Sequence, residues 1–131
     1  MQMLLKDFYK INALTNTEGV KYVADITINK NHEIFNGHFP GNPVTPGVCM
    51  LQIIKEITQQ VVDSKIMMTN ASNIKFMALI NPDVNPNLRL ELDITETNDN
   101  MVKVKNTTLF NDTVALKLSC VYIKNEIAAE V

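Results

Sequence analysis

No apolar stretch in these 131 residues is long enough to cross a bilayer: the longest unbroken run, Phe76 to Ile80, has five residues, where about 18 are needed. Near the N-terminus Lys6 and Asp7 follow directly on Met3, Leu4 and Leu5, which leaves no hydrophobic region of signal-peptide length. The expectation is a cytoplasmic protein with no membrane partner. Arginine is scarce, Arg89 being the only one, and 12 Lys plus Arg stand against 14 Asp plus Glu. The clustered basic charge that a nucleic-acid partner requires is missing. Cysteine is limited to Cys49 and Cys120, far apart and in no CxxC spacing, so both are expected as buried, reduced thiols. His32, His38 and Cys49 form no metal-ligand spacing, and no metal is expected. Internal repeats, low-complexity tracts and Gly, Ser or Pro linkers are also lacking. A chain slightly shorter than one ordinary domain, with 46% hydrophobic and 20% charged residues, therefore reads as a single globular domain over residues 1–131.

What the chain does carry is periodicity. A strand is expected from Tyr9 to Leu14, then a turn at Asn16, Thr17, Glu18 and Gly19, where glycine reaches positive φ cheaply. From Val20 to Ile28, the residues Val20, Tyr22, Ala24, Ile26 and Ile28 alternate with Lys21, Asp25 and Thr27, the period of a strand with one buried face. Period two returns after Asn70. It is clearest in Leu88, Leu90, Leu92 and Ile94, with further strands expected at Ile74 to Ile80, Val102 to Phe110 and Val114 to Ile123. The breaks fall at Asn81-Pro82, Asn98-Asp99-Asn100 and Asn111-Asp112, all turn-forming residues.

Between these halves lies NHEIFNGHFPGNPVTPG, Asn31 to Gly47, whose three prolines and three glycines exclude regular structure over a long stretch. The loop ends at Thr45-Pro46, read as a side chain that accepts first-turn amides followed by a residue suited to the first helical position. The helix beginning there runs to about Asp63, with Met50, Leu51, Ile53, Ile54, Ile57 and Val61 forming an apolar face. Six strands and one long apolar helix imply an antiparallel sheet curled around that helix, since each element must bury its apolar face on another. The expected class is α+β.

The chemistry concentrates in His38 to Gly47, HFPGNPVTPG. A histidine held in a proline- and glycine-stiffened loop loses little entropy on being oriented, and an imidazole suits proton abstraction near neutral pH. His38 is thus a candidate base. Just downstream, the amides of Gly47 and Val48 fall in the first helical turn, where unpaired donors and the positive dipole end favour a developing oxyanion.

This stretch resembles the β-hydroxyacyl-(acyl carrier protein) dehydratase family of the hotdog fold, whose hallmark is HFPGxPxxPGV between a hairpin and the central helix. IFNG before the histidine and IKFMALINPDV from Ile74 to Val84 extend the likeness, which covers roughly Val20 to Ile123. The resemblance implies a hotdog fold, a cofactor-free dehydration of 3-hydroxyacyl thioesters borne by acyl carrier protein or CoA, and a role in fatty acid biosynthesis. It also implies a homodimer, or a higher oligomer of dimers, with each site built from both subunits. Carried over by motif position, His38 removes the α-proton, the carbonyl of Val44 holds its other ring nitrogen, and the Gly47 amide binds the thioester oxygen. Phe39 is a core anchor, a wall of the acyl tunnel, or both.

One departure from the pattern is plain: fourteen residues after the histidine, where the family has Glu or Asp, this chain has Gln52. The family commonly places a glutamine one turn further on, where this chain has Glu56, so the pair looks exchanged. An amide cannot donate a proton as an acid does, and general acid–base assistance is worth about 10² to 10⁴ in rate. Glu56 shares a helix face with Gln52 but stands about 6 Å further along the axis. A plainer reading stands beside this one, because Gln52, Lys55, Glu56, Gln59 and Asp63 fall at helical spacing and could form an ordinary solvated stripe. Three functions follow: an enzyme of the hydro-lyase type, impaired or rewired at Gln52; an acyl thioesterase; or a non-catalytic acyl-binding subunit that partners an active dehydratase. Lys30 and Lys75 are candidates for docking an acidic carrier. His32 is read as a surface or turn residue, and Met50, Met67, Met68 and Met77 as core filler.

Overall fold

The computed structural model describes residues 6–36 and 44–125. Among them the elements run β1 (Tyr9–Glu18), β2 (Lys21–Ile28), a short 3-10 turn (Glu33–Phe35), α1 (Gly47–Val62), β3 (Ile66–Phe76), β4 (Asn87–Glu96), β5 (Met101–Phe110) and β6 (Thr113–Lys124). The six strands form one antiparallel sheet in the order β1-β2-β4-β5-β6-β3. This is the expected α+β arrangement of one sheet and one long helix.

Alternation in the sequence becomes a buried face in the sheet. Leu88, Leu90, Leu92 and Ile94 of β4 all lie inward, and the register sets Leu90 against Ala24 and Leu88 against Ile26 of β2. On the other side β4 meets β5, whose core-facing residues include Asn106 and Thr108. These polar side chains are satisfied locally: Thr108 donates to Asn106 Oδ1 at 2.8 Å, and Asn106 donates to the Glu91 carbonyl at 3.2 Å. Hydrogen-bonded in this way, a polar pair avoids the penalty of an unmet buried group. Against this face packs α1, with Met50, Ile53, Ile54 and Ile57 wholly buried in the same core cluster. Each such side chain contributes about 1.5–3 kcal/mol on burial, which ties the helix axis to the sheet.

Three expectations need correction. The strand after the helix begins at Ile66 and ends at Phe76, instead of running from Ile74 to Ile80. Among the described residues β3 is the sheet's edge and pairs only with β6, and all its residues except Ile66 and Met68 are exposed. A strand with neither face covered shows no alternation to read. For the same reason Met67 and Met77 are surface residues, about half exposed, whereas Met50 is core. The loop from Asn31 also contains regular structure, the 3-10 turn, and His32 is its N-cap. His32 Nδ1 accepts from the Ile34 amide at 3.1 Å, and Nε2 lies 3.1 Å from the Lys6 carbonyl. His32 is thus the turn residue expected from the sequence, and its ring joins two segments of the chain.

Candidate active site

The chain enters α1 along a pinned segment. The Thr45 amide donates to the Ile80 carbonyl at 2.8 Å, and Pro46 is the N-cap, in extended conformation and with no side-chain cap bond. Thr45 therefore does not cap the helix as its position suggested; its hydroxyl is buried and has no partner among the described residues. The amides of Cys49 and Met50 reach back to the Pro46 carbonyl, whereas Gly47 and Val48 precede the first residue that can find an intrahelical acceptor. Their two amides open the positive end of a 16-residue helix. The ring of Phe76 lies over Gly47 so closely that an added Cβ would meet its Cζ at 2.8 Å. Val48 turns its side chain outward, at 74% exposure, so only its backbone is available to a buried ligand.

One turn deeper, the helix carries the most constrained polar cluster among the described residues. Glu56 is 3% exposed. Its Oε2 accepts from Gln52 Nε2 at 3.0 Å and its Oε1 accepts from the Tyr9 hydroxyl at 2.8 Å. The four-residue spacing places Gln52 and Glu56 on one face, and Tyr9 reaches them from β1. Among the described residues, no ion pair involves Glu56, so two neutral donors satisfy the carboxyl. Burial, then the hydrogen bond to Glu56 and its charge, push the Tyr9 phenol above its ordinary value, and the hydroxyl stays a donor. The solvated-stripe reading fails for Glu56 and for Gln59, also buried, whose Oε1 accepts from the Ile66 amide at 3.1 Å and ties the helix end to β3. It holds only for Asp63, which is exposed.

With this geometry in view, the likeness to known proteins can be placed. The sequence model of the ApeI-like family, described as ApeI dehydratase, matches residues 14–120. The chain belongs to this dehydratase family. A curated relative, the 3-hydroxyacyl-[acyl-carrier-protein] dehydratase FabZ of Lactobacillus helveticus, is 30% identical over 122 residues, covering 87% of this chain and 79% of the relative. FabZ of Zymomonas mobilis is 29% identical over 120 residues, 86% of this chain and 73% of its own. Among solved structures, the dehydratase heterocomplex ApeI:P from Xenorhabdus doucetiae aligns with a TM-score of 0.65 at 16% identity, over 88% of this chain and 97% of that one. A phenylacetic acid degradation-related protein of Ralstonia eutropha, provisionally assigned as a thioesterase, gives 0.59 at 11%, over 87% and 83%. At such identities the structural likeness establishes the fold, which is hotdog.

Within the dehydratase family frame, the motif residues divide as follows. His38 and Phe39 lie outside the described residues. Val44, Gly47 and Val48 stand together at the start of α1, and Gln52 and Glu56 are hydrogen-bonded to each other one to two turns along. Sequence reasoning missed Tyr9, because the contact spans 47 positions and a tyrosine opening a strand carries no local sign of its partner. It also missed the unpartnered Thr45 hydroxyl, having assigned that side chain to capping. Cys49 and Cys120 are free and buried, and burial pushes both thiols up. That disfavours the thiolate a nucleophile needs. Among the described residues no group of three or more His, Cys, Asp or Glu could hold a metal ion, and no helix is long and apolar enough to cross a membrane.

Proposed function

We propose that this chain dehydrates 3-hydroxyacyl thioesters to trans-2-enoyl thioesters and water, with His38 as base and Glu56, working beside Gln52, as acid. His38 takes the α-proton, and the electron pair left behind moves into the thioester as enolate character. The oxygen that gains charge meets the amides of Gly47 and Val48, donors placed where the charge develops. The Cα–Cβ double bond then forms as the Cβ–O bond breaks, and the departing hydroxyl takes a proton from Glu56 and leaves as water. His38 ends with the proton that Glu56 has lost, so passage of that proton back to Glu56 resets the site. The observation that carries this reading is the hydrogen bond from half-buried Gln52 to buried Glu56. It joins a carboxyl to the side chain at the motif's acid position, and so supplies the proton source that an amide lacks.

The position of β3 supports assembly with a second chain. Among the described residues this strand ends the sheet with one side unpaired, and Met67, Ile74, Phe76, Met77 and Leu79 on and after it are exposed. A second copy pairing there would cover them, in line with a homodimer. The ApeI:P structure is a dehydratase heterocomplex, and an active dehydratase on the same edge is the second reading, favoured by Gln52 at the acid position. For the thioester carrier, Lys30 and Lys10 line a cavity of about 800 Å³, but Asp7 and Asp83 share its wall. The mixed charge supports CoA and carrier protein equally.

The test is an assay of the purified chain with a 3-hydroxyacyl thioester and its saturated analogue, reading enoyl absorbance and free thiol separately. Enoyl product that disappears in His38→Ala supports dehydration. Thiol release without enoyl product replaces it with hydrolysis. Activity seen only after a partner dehydratase is added assigns the subunit role.

A further inference from the structure

Resting on the acid assignment just made, we infer that Tyr9 is a positioning residue for Glu56: its hydroxyl fixes the carboxyl so that Gln52 and Glu56 act as one unit. A glutamate side chain has three rotatable bonds, and a single donor on one oxygen leaves the carboxyl plane free to turn. Here the two oxygens have separate donors, Gln52 at 3.0 Å and Tyr9 at 2.8 Å, which determines both the direction and the plane of the group. The two donors come from different elements, one from α1 itself and one from β1. The carboxyl is therefore held between helix and sheet instead of moving with the helix alone. Its orientation to Gln52 also assigns that amide: the NH₂ faces the carboxyl, so the Gln52 carbonyl oxygen points away from Glu56.

Tyr9 can serve as such a post because the start of β1 is itself anchored. The Asn29 amide donates to the Phe8 carbonyl at 2.8 Å, and the Asn29 side chain donates to the Asp7 carbonyl at 2.9 Å. Phe8 is wholly buried, stacked on Phe35 and met edge-on by the His32 ring. The His32 Nε2 contact to the Lys6 carbonyl closes the same corner. A rigid attachment matters because misplacing a catalytic group by about 1 Å can cost a hundredfold in rate.

The experiment is a double-mutant cycle of Tyr9→Phe and Glu56→Gln on the full chain, with kcat and KM measured for each variant. Tyr9→Phe keeps the packed ring and removes only the hydroxyl. We expect kcat to fall about tenfold to a hundredfold with KM nearly unchanged, and no further loss when Tyr9→Phe is added to Glu56→Gln. An equal loss in both backgrounds, or a lowered denaturation midpoint with unchanged kcat, would overturn the inference and leave Tyr9 as packing. Full turnover in Glu56→Gln would instead overturn the acid assignment, and the positioning role with it. A readout independent of turnover is the ¹³C carboxyl resonance of Glu56. It moves in Tyr9→Phe if the hydroxyl is bound there, and an unmoved resonance counts against the bond.

Discussion

Glu56 shows how much a single side chain can be asked to do in a hotdog core. Removing its carboxyl with Glu56→Ala strands the buried Tyr9 hydroxyl and leaves one N–H of half-buried Gln52 without its acceptor. A buried polar group left unmet costs about 1–3 kcal/mol, and we expect at least that loss in the denaturant midpoint. Gln52→Glu tests the pair from the other side. It sets a carboxyl at the motif position but removes the N–H that Glu56 accepts and places two carboxyls side by side, so stability should fall and, with Glu56 as the acid, dehydration should fall too; a rise in dehydration would mean that the acid was missing and that Glu56 does not supply it. Gly47→Ala is a finer probe. The added methyl meets the far end of the Phe76 ring at 2.8 Å, and because Phe76 is half exposed the ring can swing aside. We expect stability to change by less than about 1 kcal/mol, with Phe76 displaced in a structure of the variant.

At the scale of elements, the ends of α1 are asymmetric. Asp63 closes the helix in the left-handed region, at φ 51°, where a side chain carries a cost that glycine avoids. Asp63→Gly should therefore raise stability by about 1 kcal/mol, and an unchanged thermal midpoint would show the strain to be absorbed elsewhere. The same elements show what could be read from the chain in advance. The core helix and β4 were legible because one covered face imposes a period on the residue types. The start of β3 was not, since an edge strand open on both faces imposes none, and Met67 looks the same in sequence whether or not anything covers it. The spacing of Gln52 and Glu56 gave their shared helix face, whereas the HFPG residues lie outside the described residues. The N-cap role of His32, the idle Thr45 hydroxyl and the Tyr9 contact were not legible, because each depends on a neighbour far away in sequence or on backbone that only the fold defines.

For the whole molecule, charge and assembly set the testable behaviour. Burial raises the thiols of Cys49 and Cys120 above 9.0 and the phenols of Tyr9 and Tyr122 above 10.0. The unfolded chain gives up these protons first, so their contribution to stability is complete below about pH 9 and falls as the pH rises past it. Urea midpoints from pH 7 to 11 should decline accordingly, and a flat profile would deny the burial of these groups. Ile74→Lys on the β3 edge should shift sedimentation toward the monomer and abolish turnover if each site draws on two chains. Tyr9, finally, precedes the span shared with the family, which opens at residue 14. If Tyr9 holds Glu56 as inferred, exchanging the first dozen residues of this chain would loosen that carboxyl while leaving the HFPG motif intact, and a comparison confined to residues 14–120 would not contain Tyr9.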